Sequence, residues 1–287
     1  MLIACFRSKL NEKYKLILFF RQWRTRQVRD LGDLCGKIFL IMTHRFSRTE
    51  QLIGKEALAK LSRARVAVFG LGAVGSYAVE ALARAGVGYL RLVDCDCIRP
   101  SNMNRQLYAL ESTLNRPKTE VAHERVLDIN PHCKVDALQE FVMKKTLDQL
   151  LSKPLDAMVD AIDSVTPKVE LIAAGLHAGI PVISSMGAAT RMDPSAVRLG
   201  DISETDVCPL ARFVRKRLRR RGITSGVRCI FSIEEPRNKD APVDDEAPSF
   251  PQGRTRRPIG SLSYITGIFG LLAAYEVIKI ILNKAQS

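Results

Sequence analysis

No C-x-x-C pair occurs in the 287 residues, although the chain holds seven cysteines. A structural zinc site of four thiolates therefore has no ligand spacing to build on. Cys5, Cys35, Cys95, Cys97, Cys133, Cys208 and Cys229 are odd in number and irregular in spacing, and no secretory leader is recognisable. They are expected to be reduced thiols in a cytoplasmic compartment. Acidic residues are short as well: 30 Asp and Glu face 44 Lys and Arg, a net charge of +14. Such a field concentrates polyanions, so nucleotides, tRNA or anionic lipid are suitable partners, and a plain solubility surplus is the alternative. Long apolar runs are also lacking. Leu16–Phe20 is short, and the stretch from Ile259 to Leu282 is broken by Glu276, Lys279 and three glycines. A membrane span needs about 20 mostly apolar residues. A strand, turn and helix of a soluble core are expected there, with no integral membrane association. There is no internal repeat.

What is present is globular in composition, 46% hydrophobic and 26% charged. The first 41 residues hold nine Lys or Arg against three acids and lack periodicity. They read as a basic extension, and an upstream reading frame ahead of a start at Met42 explains them best. From Arg65 the pattern alternates. RVAVFG (65–70), YLRLVDCD (89–96), LDAMVDAID (155–163) and PVISSMGAA (181–189) are buried-strand runs. Residues 73–85, 118–129 and 168–178 have helical spacing between them. That rhythm predicts an α/β fold: a doubly wound, mostly parallel, Rossmann-like sheet flanked by helices, with ligands at the strand C-terminal ends. Beyond it lies a C-terminal strand-helix extension. Within residues 194–258, a basic helix over 210–221 has Leu210, Phe213, Val214 and Leu218 on its apolar face, and the proline-rich stretch 236–258 reads as a mobile loop.

The first strand runs into Gly70-Leu71-Gly72-Ala73-Val74-Gly75, a G-x-G-x-x-G turn that opens a helix. Glycines at Gly70, Gly72 and Gly75 let backbone N–H groups approach phosphate at the positive end of that helix. Asp94, at the end of the second strand, stands where a ribose hydroxyl would be gripped. This much suits a dinucleotide oxidoreductase equally well. The next residues separate the readings. SNMNRQ supplies Asn102, Arg105 and Gln106, and Lys118 follows in RPK. Hydride transfer has little use for two cations near the nucleotide, whereas cleavage of ATP at its α-phosphate does, because negative charge grows there. Asp163 is placed to hold magnesium on the phosphates.

Arg48 in RFSRTEQLIG, the Gly70–Gly75 turn, Asp94, SNMNRQ, Lys118 and VDAIDS resemble, in order and spacing, the adenylation domain of the ubiquitin-activating superfamily. Thiamine and molybdopterin sulfur-carrier adenylyltransferases are bacterial members. The resemblance implies an adenylating enzyme over residues 42–287, with ATP and Mg2+ as cofactors. Asp94 would bind the ribose, and Asn102, Arg105 and Lys118 the triphosphate. Asp163 would ligate magnesium, and Arg48 would reach into the partner's site of a homodimer. Arg48, Arg105, Lys118 and Asp163 are the expected catalytic residues.

The C-terminal third chooses the branch. It lacks the paired C-x-x-C zinc motifs of the sulfur-carrier enzymes. The helix 210–221, the strand RCIFSIEEP and GSLSYITGIFGLLAAYEVIK resemble instead the branch that dehydrates threonylcarbamoyl-adenosine in tRNA. That branch implies adenylation of a carboxylate and cyclisation, releasing AMP and pyrophosphate. It also implies tRNA contacts by Arg215, Arg219 and Arg220, with a sulfur-relay protein as a further partner. Activation of a ubiquitin-like or sulfur-carrier protein, and an NAD(P)-binding oxidoreductase, are the alternatives. No catalytic cysteine is expected.

Overall fold

Short apolar runs bounded by glycine or acid become the strands of one seven-stranded sheet among the described residues of this computed structural model, 44–237 and 259–284. The extension 1–41, the start at Met42, and the loop reading for 238–258 lie outside the described residues. The strands are β1 (Arg65–Phe69), β2 (Tyr89–Val93), β3 (Lys134–Leu138), β4 (Ala157–Asp160), β5 (Val182–Ser185), β6 (Val197–Asp201) and β7 (Arg228–Ser232). Their order is β3-β2-β1-β4-β5-β7-β6. All neighbours are parallel except β6 and β7, which pair antiparallel from Val197↔Ser232 to Asp201↔Arg228. The sheet is thus the expected doubly wound α/β sheet with one antiparallel edge strand.

The helices are α1 (Ser47–Ile53), α2 (Lys55–Arg63), α3 (Gly75–Ala85), α4 (Lys118–Ile129), α5 (Leu147–Leu150), α6 (Val165–His177), α7 (Pro209–Arg219) and α8 (Ser263–Asn283). The chain divides between Leu52 and Ile53 into two units. In the first, α1 buries no residue, and His44 Nε2 meets Glu50 Oε2 at 2.6 Å.

In the second unit, helices cover both faces of the sheet. Val66 and Val68 of β1 join one core with α3, α4 and α8, while Ala67 and Phe69 join the other with α6 and α7. Two covered faces explain why β1, β2 and β4 read as mostly apolar runs, not alternating ones, with Arg91 of β2 buried on Asp136 and Leu150 O. The edge strands β3 and β6 are half exposed, so KVDAL and VRLGD carry no such run and give no clear strand signal.

Several boundaries differ from expectation, and the strands read at 181–189 and from Arg228 also stop early, at Ser185 and Ser232. β2 stops at Val93 and β4 at Asp160, so Asp94–Asp96 and Ala161–Asp163 are loop at the C-terminal ends of the strands. The stretch 259–282 holds no strand: it is one helix, α8, from Ser263 onward. By length and composition α8 could cross a membrane. Here Phe269, Ala273 and Val277 are buried in the core. Gly270 lies so close to α3 that a Cβ would sit 2.3 Å from Val74 O, so only glycine permits this approach. Another difference is α7, which ends at Arg219 and buries Ala211, Val214 and Leu218. Phe213, 53% exposed, falls off the edge of that narrow stripe, with the Arg212 guanidinium 5.7 Å from its ring.

Candidate active site

β1 and β4 are neighbours, yet the helices that follow them pack on opposite faces of the sheet. The crevice between their C-terminal ends is the switch point where such sheets take ligands. Gly70 turns the chain there with φ +86°, and a Cβ on it would lie 2.8 Å from Ala161 O in the turn after β4. A Cβ on Gly75 would overlap Gly70 O at 1.7 Å. These glycines hold the two turns together. At Gly72 the nearest atom to an added Cβ is Gln106 Nε2, at 3.6 Å. That glycine keeps a cradle beside SNMNRQ that a side chain would fill.

Asp94 ties the first two strand ends. Its Oδ2 accepts from Leu71 N at 2.6 Å and its Oδ1 from Asp96 N at 2.8 Å. Burial raises its carboxyl above the ordinary range, with the Lys118 charge opposing. Each carboxylate oxygen has a second lone pair with which to accept a ribose hydroxyl.

Lys118 reaches the site through local pairing. The segment 96–98 runs antiparallel to 115–118, with Ile98 N on Arg116 O, Asn115 N on Ile98 O and Lys118 N on Asp96 O. That ladder sets the first turn of α4 against Asp96, whose Oδ2 lies 3.2 Å from Lys118 Nζ. Burial works against the ammonium, but Asp94 and Asp96 outweigh it and raise the lysine above its ordinary range. Lys118 is thus cationic at neutral pH.

Arg105 is half buried and donates to Ser101 O and Asn104 Oδ1, each at 2.8 Å. Burial lowers its pKa while the field of Asp163 raises it, and Asp163 also acts on Lys118. Two cations and an exposed acid therefore share one neighbourhood. Asn102 Oδ1 accepts from Arg99 N at 3.2 Å, closing the short turn Pro100–Asn102 that presents Arg105.

Asp94, Cys95 and Asp96 offer ligand atoms within 4.8 Å of one another. Main-chain N–H groups already occupy Asp94, Lys118 occupies Asp96, and burial with both acids pushes the Cys95 thiol up to about 12.

Beneath this surface lies a pair that sequence reasoning missed. Lys168 of α6 and Asp160 of β4 are completely buried, 2.6 Å apart. Lys168 Nζ also donates to Ser185 O at 2.9 Å, and Ser184 Oγ donates to Asp160 Oδ2 at 2.6 Å. The other oxygen, Asp160 Oδ1, accepts from Ile162 N at 3.1 Å and so shapes the turn that carries Asp163. The available signal was one charge at the end of an apolar strand and another on an apolar helix. No local rule links them.

Arg215 was expected to face nucleic acid, but it is half buried and donates to Thr205 O and Thr205 Oγ1. Arg221 is likewise paired with Glu170. Lys216, Arg219 and Arg220 are exposed. Cys208 and Cys229 are buried, and burial raises the Cys229 thiol well above the ordinary range. Arg48 is exposed on α1.

A glycine turn at such a switch point, with an acid at the second strand end and cations opposite, is built for a phosphorylated nucleotide. The molecule is a doubly wound nucleotide-binding α/β protein. More closely, the chain belongs to the ThiF family, whose model matches residues 46–287. Bacillus subtilis tRNA threonylcarbamoyladenosine dehydratase is 42% identical over 250 residues, covering 85% of this chain and 97% of the relative. The Escherichia coli enzyme of that name is 35% identical over 255 residues, covering 84% and 94%. A crystal structure of the Escherichia coli dehydratase in complex with ATP superposes with a TM-score of 0.72 at 34% identity, covering 83% of this chain and 93% of that one.

Proposed function

We propose that this protein is an ATP-dependent dehydratase of threonylcarbamoyl-adenosine in tRNA. One observation carries the reading: Lys118 is held on Asp96 and Arg105 precedes Gln106, and both places adjoin the Gly70–Gly75 turn, where Leu71 N donates to Asp94 and Gln106 faces Gly72. Two fixed cations at that place suit the charge that develops when a phosphoanhydride bond breaks, and hydride transfer has no such need. The names and lengths of the similar enzymes support the same choice of substrate.

A carboxylate oxygen of the threonylcarbamoyl group attacks the α-phosphorus of ATP, and the bond to pyrophosphate breaks. Asp94 holds the ribose, Asn102, Arg105 and Lys118 hold the triphosphate, and Asp163 would hold magnesium, which neutralises phosphate charge when bound. An atom of the neighbouring ureido group then attacks the activated carbonyl carbon. The bond to AMP breaks, a proton passes to solvent, and the substrate has lost one water. No enzyme thiol is needed, in keeping with buried Cys208 and Cys229. The reading includes a cytoplasmic location and a homodimer in which Arg48 is supplied by the partner subunit.

The test supplies ATP and tRNA bearing the modified nucleoside. AMP, pyrophosphate and a nucleoside lighter by one water are expected. ADP and phosphate, or adenylation only with a small carrier protein, would overturn the reading.

A further inference from the structure

Arg191 follows the C-terminal end of β5, only 3% exposed, and no carboxylate among the described residues pairs with it. Its Nη1 donates to Thr190 Oγ1 at 2.8 Å and to Ala189 O at 3.4 Å, and its Nε is buried with no acceptor. A buried cation without a counter-ion costs several kcal/mol, so it calls for an anion. The backbone before it is held in a special shape: Thr190 has φ +63°, a left-handed conformation that a β-branched residue seldom adopts. Such strain marks positions where placement of a side chain matters.

A second orphan lies on the adjoining segment. Ser261 Oγ is buried without a partner. Residues 190–192 are laced to 260–264 by Thr190 N–H donating to Gly260 O at 2.9 Å and by Tyr264 Oη–H donating to Met192 O at 2.8 Å. Ser261 stands two residues before α8, a 21-residue helix whose N-terminus receives no side-chain cap. The N-terminal N–H groups and the helix dipole add positive potential there. The same segment reaches the nucleotide cations: Asn104 Nδ2 donates to Ser261 O at 3.1 Å, and Asn104 Oδ1 accepts from Arg105.

We propose that Arg191, Ser261 and the N-terminus of α8 form a carboxylate-binding subsite that seats the acid group of the substrate. One carboxylate oxygen is held by Arg191 Nε–H and Ser261 Oγ–H, and the other stays free to attack the α-phosphorus. The subsite lies beside the triphosphate cations through Asn104, which suits attack across a short gap. This inference rests on the dehydratase reading.

The test uses the full-length protein, with threonylcarbamoyl-adenosine and its carboxamide as competitors and calorimetry for ATP. The wild type should prefer the acid to the amide. Arg191→Gln should raise KM for modified tRNA about 10- to 100-fold, the cost of one charge-assisted hydrogen bond, and abolish the preference for the acid. ATP affinity should stay unchanged. Arg191→Lys should keep part of the preference, and Ser261→Ala should weaken acid binding several-fold even where Arg191→Gln does not fold. Loss of ATP affinity with unchanged tRNA KM would assign the site to a nucleotide phosphate and overturn the proposal. Unaltered preference in both Arg191→Gln and Ser261→Ala would also overturn it. A wild type that leaves modified tRNA untouched would instead defeat the dehydratase reading itself.

Discussion

Two lysine–aspartate pairs stand at the C-terminal edge of the same sheet, and they serve opposite ends. Lys168 and Asp160 are completely buried at 2.6 Å, and serine groups complete the shell. Lys118 and Asp96 are 3.2 Å apart, and Asp96 is 41% exposed. In the closed pair every strong donor and acceptor is matched within the protein, so no charge is left to act on a ligand. The open pair leaves its lysine with donors to spare, in the field of Asp94, Asp96 and Asp163. The closed pair builds the framework, and in the proposed reaction the open pair meets the nucleotide. Helix α7 repeats the contrast: Arg215 is tied to Thr205, while Arg219 and Arg220 face solvent.

The comparison breaks most visibly at the closed pair. Lys168→Met leaves Asp160 buried and uncompensated, which should destabilise the fold by about 3–5 kcal/mol. Thermal or denaturant unfolding measures it, and Asp160→Asn in the same chain should recover part of the loss. Equal stability of the wild type and Lys168→Met would show that the pair does not hold the turn.

At the open pair the outcome should be the reverse. Lys118→Ala should lower the rate of AMP formation by about 10²–10³, as for loss of one transition-state contact. Its unfolding midpoint should fall less than that of Lys168→Met, since Asp96 is rehydrated easily and Asp94, whose carboxyl is already held above the ordinary range by burial, can take up a proton. A large loss of stability with normal turnover of the folded fraction would reverse the assignment.

A subunit-mixing experiment sharpens the question of how the open site is completed. Arg48→Ala and Asp163→Ala proteins should each be inactive, and their equal mixture should regain about a quarter of the activity, because half of the dimers are hybrids and each hybrid has one intact site of two. No rescue despite demonstrated subunit exchange would remove the arginine in trans.

The smallest effect belongs to α7. Arg219→Gln with Arg220→Gln should flatten the slope of log affinity for tRNA against log salt by about 0.7–0.9 per lost phosphate contact. ATP affinity should not change. Arg215→Gln should leave the salt slope alone and slightly lower stability, because its guanidinium serves Thr205. The opposite pattern would put Arg215 at the nucleic-acid surface.

Much of the site was legible because its parts are local. A strand running into Gly70–Gly75, the acid Asp94 at the next strand end, and SNMNRQ followed by Lys118 are contiguous motifs. Their order survives in a one-dimensional reading. The parallel sheet was equally legible, since strands covered on both faces are mostly apolar runs. The edge strands β3 and β6 gave no such signal, and the Phe213 side of α7 was misread because charges surround a narrow apolar stripe.

By itself, then, the sequence determined the α/β rhythm, the glycine turn after the first strand and the residue types that follow it, because these depend on neighbours in the chain. Tertiary structure alone decided which charges are available. Asp160 meets Lys168 within one β-α unit, but Thr205 captures Arg215 ten residues on, and Thr190 and Gly260 join across 70 residues to leave Arg191 buried without an acid. Whether a charge acts on a ligand depends on what solvent and partners surround it, and those surroundings are assembled only when distant segments pack.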